Sequence, residues 1–93
     1  MQEPPLFPLG RITVTPTIYA DRPRIRQVIR TSIRLHAMGY WGDLPPDNRY
    51  ANDYALENRG RILSCYQLQS GSPVWVVTEA DRSATTVLLP AEY

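Results

Sequence analysis

The chain has 93 residues, 43% hydrophobic and 20% charged, with a formal net charge of +1. That composition excludes a disordered segment and describes one globular domain, residues 1–93, with a modest core. A single cysteine, Cys65, excludes an internal disulfide and fits a reducing, cytoplasmic setting, while no apolar run approaches the roughly 20 residues of a membrane span.

Residues 1–10 contain Pro4, Pro5 and Pro8 and end in Gly10. They read as an extended arm that lays Leu6, Phe7 and Leu9 onto the body. Met1–Pro5 has neither the basic nor the apolar region of a secretion leader. Arg11-Ile12-Thr13-Val14-Thr15 alternates and is β-branched, which predicts a short strand. Thr15-Pro16 is a helix start, with Thr15 as the cap. Pro23 keeps that first helix short.

From Pro23 to about Ala37, Ile25, Val28, Ile29, Ile33 and His36 recur at helical spacing and form one apolar stripe. Gly39 ends that helix. Tyr40 to Pro46 is an aromatic loop closed by two prolines. Asp47 then caps a helix over about 48–58, with Tyr50, Ala51, Tyr54 and Ala55 as its packing face and Gly60 as its stop. Three strand-like runs follow: Arg61–Leu68, Pro73–Thr78 and Ala84–Pro90. They are separated by a Gln-Ser-Gly-Ser break and by Glu79–Ser83, the plan of an antiparallel meander. Val74, Val76 and Thr78 face one way, and Trp75, Val77 and Glu79 the other. The predicted fold is α+β: two or three helices on one face of a mainly antiparallel sheet, in the order β-α-α-β-β-β. The opposite sheet face, only partly covered, is a candidate contact surface.

Charge is unevenly distributed. Residues 1–40 hold six arginines against two carboxylates, and residues 41–93 hold four against seven. All ten basic residues are arginine, whose planar fork suits carboxylates and phosphates. Arg22, Arg26, Arg30 and Arg34 are spaced by four and line one edge of a continuous helix, where like charges repel unless something opposes them. A solvated face paired to the chain's own carboxylates is one reading. An external acidic protein or a nucleic-acid backbone is the other.

Several stretches resemble a family of short bacterial proteins, often carried on plasmids and other mobile elements. The resemblance rests on Leu6-Phe7-Pro8-Leu9-Gly10, Thr15-Pro16, His36 with Gly39, and Trp41-Gly42-Asp43-Leu44. It continues through Asn52, Ala55-Leu56, Gly60-Arg61-Ile62-Leu63-Ser64, Tyr66, the block Val74-Trp75-Val76-Val77-Thr78-Glu79-Ala80-Asp81-Arg82-Ser83, Thr85–Pro90 and Glu92-Tyr93. It covers most of the chain and implies the fold and a mobile-element setting, but no activity. Residues 17–35 depart from the family pattern, being Arg-rich here where the family is rich in Ala, Leu and Glu.

The remaining polar candidates are weaker. Glu79, Asp81 and Arg82 form a strand-to-strand turn in which Asp81 and Ser83 suit local backbone bonding. With Asp43 and Asn52 nearby they also define a possible polar site at a loop tip, where a Glu/Asp pair serves acid–base chemistry or binds a divalent ion. His36 reads as a packed histidine near a helix C-terminus, where a cationic ring is favoured. One His and one Cys do not make a zinc site, and no nucleotide motif or other cofactor signature is present. Tyr40 and Trp41, between Gly39 and Gly42, are the aromatics placed for exposure and contact. The expectation is a non-enzymatic protein-binding module of a mobile element, an inhibitor of a host defence complex. The alternative is a weak nucleic-acid binder using the same arginines. A homodimer is compatible with either.

Overall fold

The structure, a computed structural model, describes residues 4–20, 22–67 and 73–93, with the side chains of Arg22 and Arg24 outside that description. The Gln69–Ser72 break and Leu68 also lie outside the described residues. Seven elements and a terminal turn follow in order: β1 (Arg11–Val14), α1 (Pro16–Ala20), α2 (Arg22–Ala37), α3 (Pro46–Asn58), β2 (Ile62–Gln67), β3 (Pro73–Thr78), β4 (Ala84–Leu88) and a 3-10 turn (Pro90–Glu92). The three helices pack with a four-stranded mixed sheet, as an α+β fold.

The sheet order is β1-β4-β3-β2. The last three strands form the expected meander, with Trp75 opposite Cys65 and Leu88. β1 crosses to the far edge and runs parallel to β4, pairing Arg11 with Ala84 and Val14 with Val87. Strand parity then sorts the side chains. Val74, Val76, Thr78, Thr85, Val87, Ile62 and Ser64 lie on the helix-bearing face and are all buried. Ile18, Ile25 and Ile29 cover the centre of that face. A second cluster of Phe7, Trp41, Leu44, Ala55 and Ile62 fills the end where α3 meets β2.

Local chemistry explains most element ends. Pro23 is tolerated because the backbone kinks at Ile25 (φ −114°, ψ 17°), and the regular part of α2 follows. Gly39 closes α2 in the left-handed conformation (φ +86°), with the Tyr40 N–H bonded to the Leu35 carbonyl at 2.9 Å.

Five expectations need correction. Thr15 does not cap α1 with its hydroxyl, which instead donates to Glu92 Oε1 at 2.7 Å. α3 begins earlier, capped by extended Pro45, with Asp47 inside its first turn. Its last turn ends on Arg59 in the left-handed conformation (φ 59°) rather than on Gly60. Its packing face is Asn52 and Ala55, with Leu56 alongside, while Tyr50 and Tyr54 stand 74% and 70% exposed. In the arm, Phe7 and Leu9 pack inward but Leu6 is 58% exposed.

Candidate functional site

The arginines of α2 follow from its helical period. Ile25, Ile29, Ser32 and His36 turn to the sheet and are buried, which carries Arg26, Arg30 and Arg34 outward. All three are exposed. Eight residues of helix separate the first from the last, a ridge of about 12 Å. Among the described residues none of the three guanidinium groups has a hydrogen bond or a carboxylate partner. The chain's acidic second half therefore does not neutralise the ridge. Arg22 precedes the kink at Ile25.

Tyr40 is exposed, and its carbonyl accepts the Tyr66 hydroxyl at 2.5 Å. Trp41 corrects the expectation of exposure: it is 8% exposed and packs against Phe7 and His36. Its indole N–H points to Asp53 Oδ1 at 3.4 Å. The reason lies in its neighbours. Gly42 (φ +77°) bends the chain so that the Trp41 carbonyl accepts from Cys65 N–H at 3.0 Å and Asp43 N–H donates to the Cys65 carbonyl at 2.8 Å. A Cβ on Gly42 would overlap the Cys65 carbonyl oxygen. The loop is thereby drawn against the edge of β2, and the Trp41 ring turns inward.

The polar loop-tip candidates separate. Asn52 is buried beside β2, where its Nδ2 donates to the Leu63 carbonyl at 2.7 Å and its Oδ1 accepts the Leu63 N–H at 3.0 Å. Asp43 is held at the same edge by its backbone. Glu79 pairs with Arg61 at 3.3 Å, not with Arg82. Asp81 is fully exposed, and its carboxylate accepts the Ser83 N–H at 2.9 Å. Ser83 accordingly holds Asp81 below its ordinary pKa. Arg82 takes a left-handed backbone (φ 62°) and sends its guanidinium inward to the carbonyls of Gly60 (2.7 Å), Ala55 (2.8 Å) and Glu79 (3.1 Å). It also lies over the Phe7 ring, 5.6 Å from its centroid. These groups act on their own backbone and do not converge on a common point. No cluster of three or more His, Cys, Asp or Glu suited to a metal occurs among the described residues.

A buried polar chain through His36 is the feature sequence reasoning missed. Nδ1 of His36 lies 2.6 Å from Ser64 Oγ and Nε2 lies 2.8 Å from Thr78 Oγ1. Thr78 Oγ1 is 2.7 Å from Thr85 Oγ1, which donates to the Leu9 carbonyl at 2.7 Å. That last carbonyl accepts only, so each hydroxyl's direction is fixed in turn. Thr85 spends its proton on Leu9, Thr78 donates to Thr85, and Thr78 must accept from Nε2–H. A neutral ring then accepts the Ser64 proton at Nδ1. Burial holds the ring neutral and lowers its pKa to about 4, which overturns the expected cationic cap. Ser64, His36, Thr78 and Thr85 all have less than 1% exposure, so the Ser64–His36 pair has no access to a substrate. A signal existed: three adjacent strands place Ser64, Thr78 and Thr85 on the face that also carries Ile62, Val74, Val76 and Val87.

One apolar groove of about 310 Å³ lies between α2 and β2, lined by Val28, Leu35, Tyr66 and Gln67 among others. Burial pushes the Tyr66 phenol up to about 12, leaving no group there that titrates near neutrality. No described helix is long and apolar enough to cross a membrane. The chain matches no family model, no curated protein and no solved structure.

Proposed function

We propose that the chain is a protein-binding module that engages an acidic surface through Arg26, Arg30 and Arg34 of α2. The observation that carries this reading is the exposed ridge without carboxylate partners among the described residues. Three like charges at four-residue spacing repel, and an acidic partner removes that cost. Guanidinium forks meet carboxylates in pairs of parallel hydrogen bonds, giving orientation as well as attraction. Exposed Tyr40, at the C-terminal end of the same helix, extends the contact with an amphipathic ring of the type enriched at interface hot spots. Of the polar loop-tip candidates, Asn52 and Arg82 are spent on backbone groups and Glu79 on Arg61, which supports recognition over catalysis. On this reading, which takes its setting from the mobile-element resemblance, the module works in a cytoplasm against a component of a host defence complex.

The test compares the wild-type chain with the Arg26→Glu/Arg30→Glu/Arg34→Glu variant. Each is used to capture proteins from host lysate, and each is titrated with duplex DNA and RNA at two salt concentrations. The reading expects a protein held by the wild type and lost by the variant, with no nucleic-acid affinity at physiological salt. Nucleic-acid binding with a steep salt slope, abolished by the charge reversal, would move the ridge to phosphate recognition. Identical behaviour of both chains in every arm would remove the ridge from function.

A further inference from the structure

The two edges of the sheet are treated differently. At β2, the outward backbone groups belong to Leu63, Cys65 and the terminal Gln67. Asn52 satisfies both groups of Leu63, and Trp41 and Asp43 satisfy both groups of Cys65. Over Leu63–Cys65 this edge is closed to a further strand.

The β1 edge is open. Arg11 N–H donates to the Ser83 carbonyl at 2.9 Å and Thr15 N–H to the Val87 carbonyl at 3.1 Å. In a parallel ladder these bonds recur on alternate residues, so Arg11, Thr13 and Thr15 face β4. Ile12 and Val14 therefore direct their N–H and C=O groups away from the sheet. Among the described residues those groups have no partner. The Ile12 side chain is 44% exposed.

We propose that β1 is the docking edge for a second copy of this chain, the two β1 strands pairing antiparallel about a two-fold axis through Thr13. Outward residues must meet outward residues, and of the registers this allows the one centred on Thr13 uses both outward residues of each copy. Ile12 of one copy then pairs with Val14 of the other, and each such pair exchanges both N–H···O=C bonds. Thr13 then faces Thr13 across the axis, and Arg11 faces Thr15. Arg11 is exposed, with no carboxylate partner among the described residues. Thr15 holds Glu92 through its hydroxyl at 2.7 Å. Pairing thus brings Arg11 of each copy beside the exposed Glu92 of the other, and symmetry makes the charge match twice. The same pairing covers Ile12. A strand this short gives a weak, concentration-dependent dimer with one continuous sheet.

The experiment is disulfide trapping of the Thr13→Cys chain in a Cys65→Ala background, followed over a concentration series by non-reducing electrophoresis. Thr13 pairs with itself at a non-hydrogen-bonded position, where opposite Cα atoms lie about 4.5 Å apart, within reach of a disulfide. A covalent dimer from Thr13→Cys is expected, with none from Arg11→Cys, whose opposite residue is Thr15. Ile12→Pro added to Thr13→Cys removes an outward N–H while sparing the β4 ladder, so trapping should be lost with the circular dichroism unchanged. If Ile12→Pro unfolds the chain, charge exchange decides: Arg11→Glu and Glu92→Arg each reduce trapping, and the double variant restores it. Equal trapping at positions 11 and 13, no trapping at 13, or failure of the double variant to restore it would overturn the proposal.

Discussion

The guanidinium of Arg82 donates to the Ala55 carbonyl at 2.8 Å, so the turn between β3 and β4 closes the last turn of α3 from 27 residues away in the chain. The end of a helix presents carbonyls with no intrahelical donor and a partial negative charge. The Ala55 carbonyl already accepts the Arg59 N–H; Arg82 adds a charged donor to it, and its bond to Gly60 at 2.7 Å holds the exit from the helix as well. Arg82→Ala should cost about 2–3 kcal/mol in urea denaturation, because several charge-assisted bonds vanish and the Gly60 carbonyl loses its side-chain donor. Arg82→Lys should recover only part of this, since an ammonium cannot span the same acceptors. Arg61→Ala, which breaks an exposed pair with Glu79, should cost less than about 1 kcal/mol. Equal losses for Arg61→Ala and Arg82→Ala would show that Arg82 is only a surface charge.

His36 sets an acid limit on stability. Its pKa is about 6.5 when unfolded and about 4 in the buried site, where desolvation disfavours the cation. Between those values the unfolded chain binds a proton that the folded chain refuses. Stability therefore falls as pH drops from 6.5 towards 4, by on the order of 3 kcal/mol in total. The lowered pKa values of Asp81 and Glu92 act in a lower window, where carboxylates protonate. Urea midpoints measured from pH 7.5 to 4 should decline through this range, and the imidazole signals of the folded protein should not titrate above pH 5. His36→Leu should flatten the slope. It should also lower stability at pH 7 by about 2 kcal/mol or more, because it strands the Ser64 hydroxyl in the core and takes from Thr78 the donor it accepts from.

Asn52 stands in for a strand. Its amide meets the N–H and C=O of Leu63 as a neighbouring backbone would. Asn52→Ala should cost about 2 kcal/mol and accelerate hydrogen exchange at the Leu63 amide well above that at Ser64, which faces β3. Asn52→Asp keeps the acceptor and loses the donor, so the Leu63 amide should stay protected while stability drops. Uniform exchange across β2 in Asn52→Ala would mean that the edge is held by packing alone.

The limits of sequence reading can be located at particular residues. The meander was legible because period-two alternation and turn residues are local signals. So was the stripe of α2, since Ile25, Ile29 and His36 repeat at its period. The face of α3 was legible only at Ala55: Tyr50 and Tyr54 look like core by residue type but stand exposed, and the other buried residue, Asn52, is polar. Asn52 is inside because an edge strand needs its amide, and that need arises only once β2 is placed. The parallel pairing of β1 with β4 joins Arg11 to Ala84, a separation over which the local pattern carries no information. Trp41 was expected outside for its glycine neighbours. Gly42 in fact supplies the bend that turns it in, through the backbone bridge to Cys65.

That bridge makes Gly42 a position where one methyl group should matter more than most core truncations. Its positive φ is disfavoured for an L side chain, and the Cβ would occupy the place of the Cys65 carbonyl oxygen. Gly42→Ala should destabilise by more than about 3 kcal/mol, combining backbone strain with the lost bridge. Trp41 fluorescence should shift to the red as the ring loses its buried setting. A variant with wild-type emission and stability would show that the loop can leave β2 without cost.

The ridge on α2 should itself lower stability, and that is measurable without knowing its partner. Arg30 lies four residues from both Arg26 and Arg34, and among the described residues none of the three has a carboxylate to offset the repulsion. Arg30→Glu replaces two repulsive spacings with two attractive ones, each worth a few tenths of a kcal/mol. The variant should be more stable than the wild type by about 0.5–1 kcal/mol at low salt, and the gain should shrink at 1 M salt, where the Debye length is about 3 Å. A gain in stability accompanied by loss of the captured partner is the pattern of a surface kept for recognition. A loss of stability would mean instead that Arg30 serves the fold, and the binding reading would lose its support.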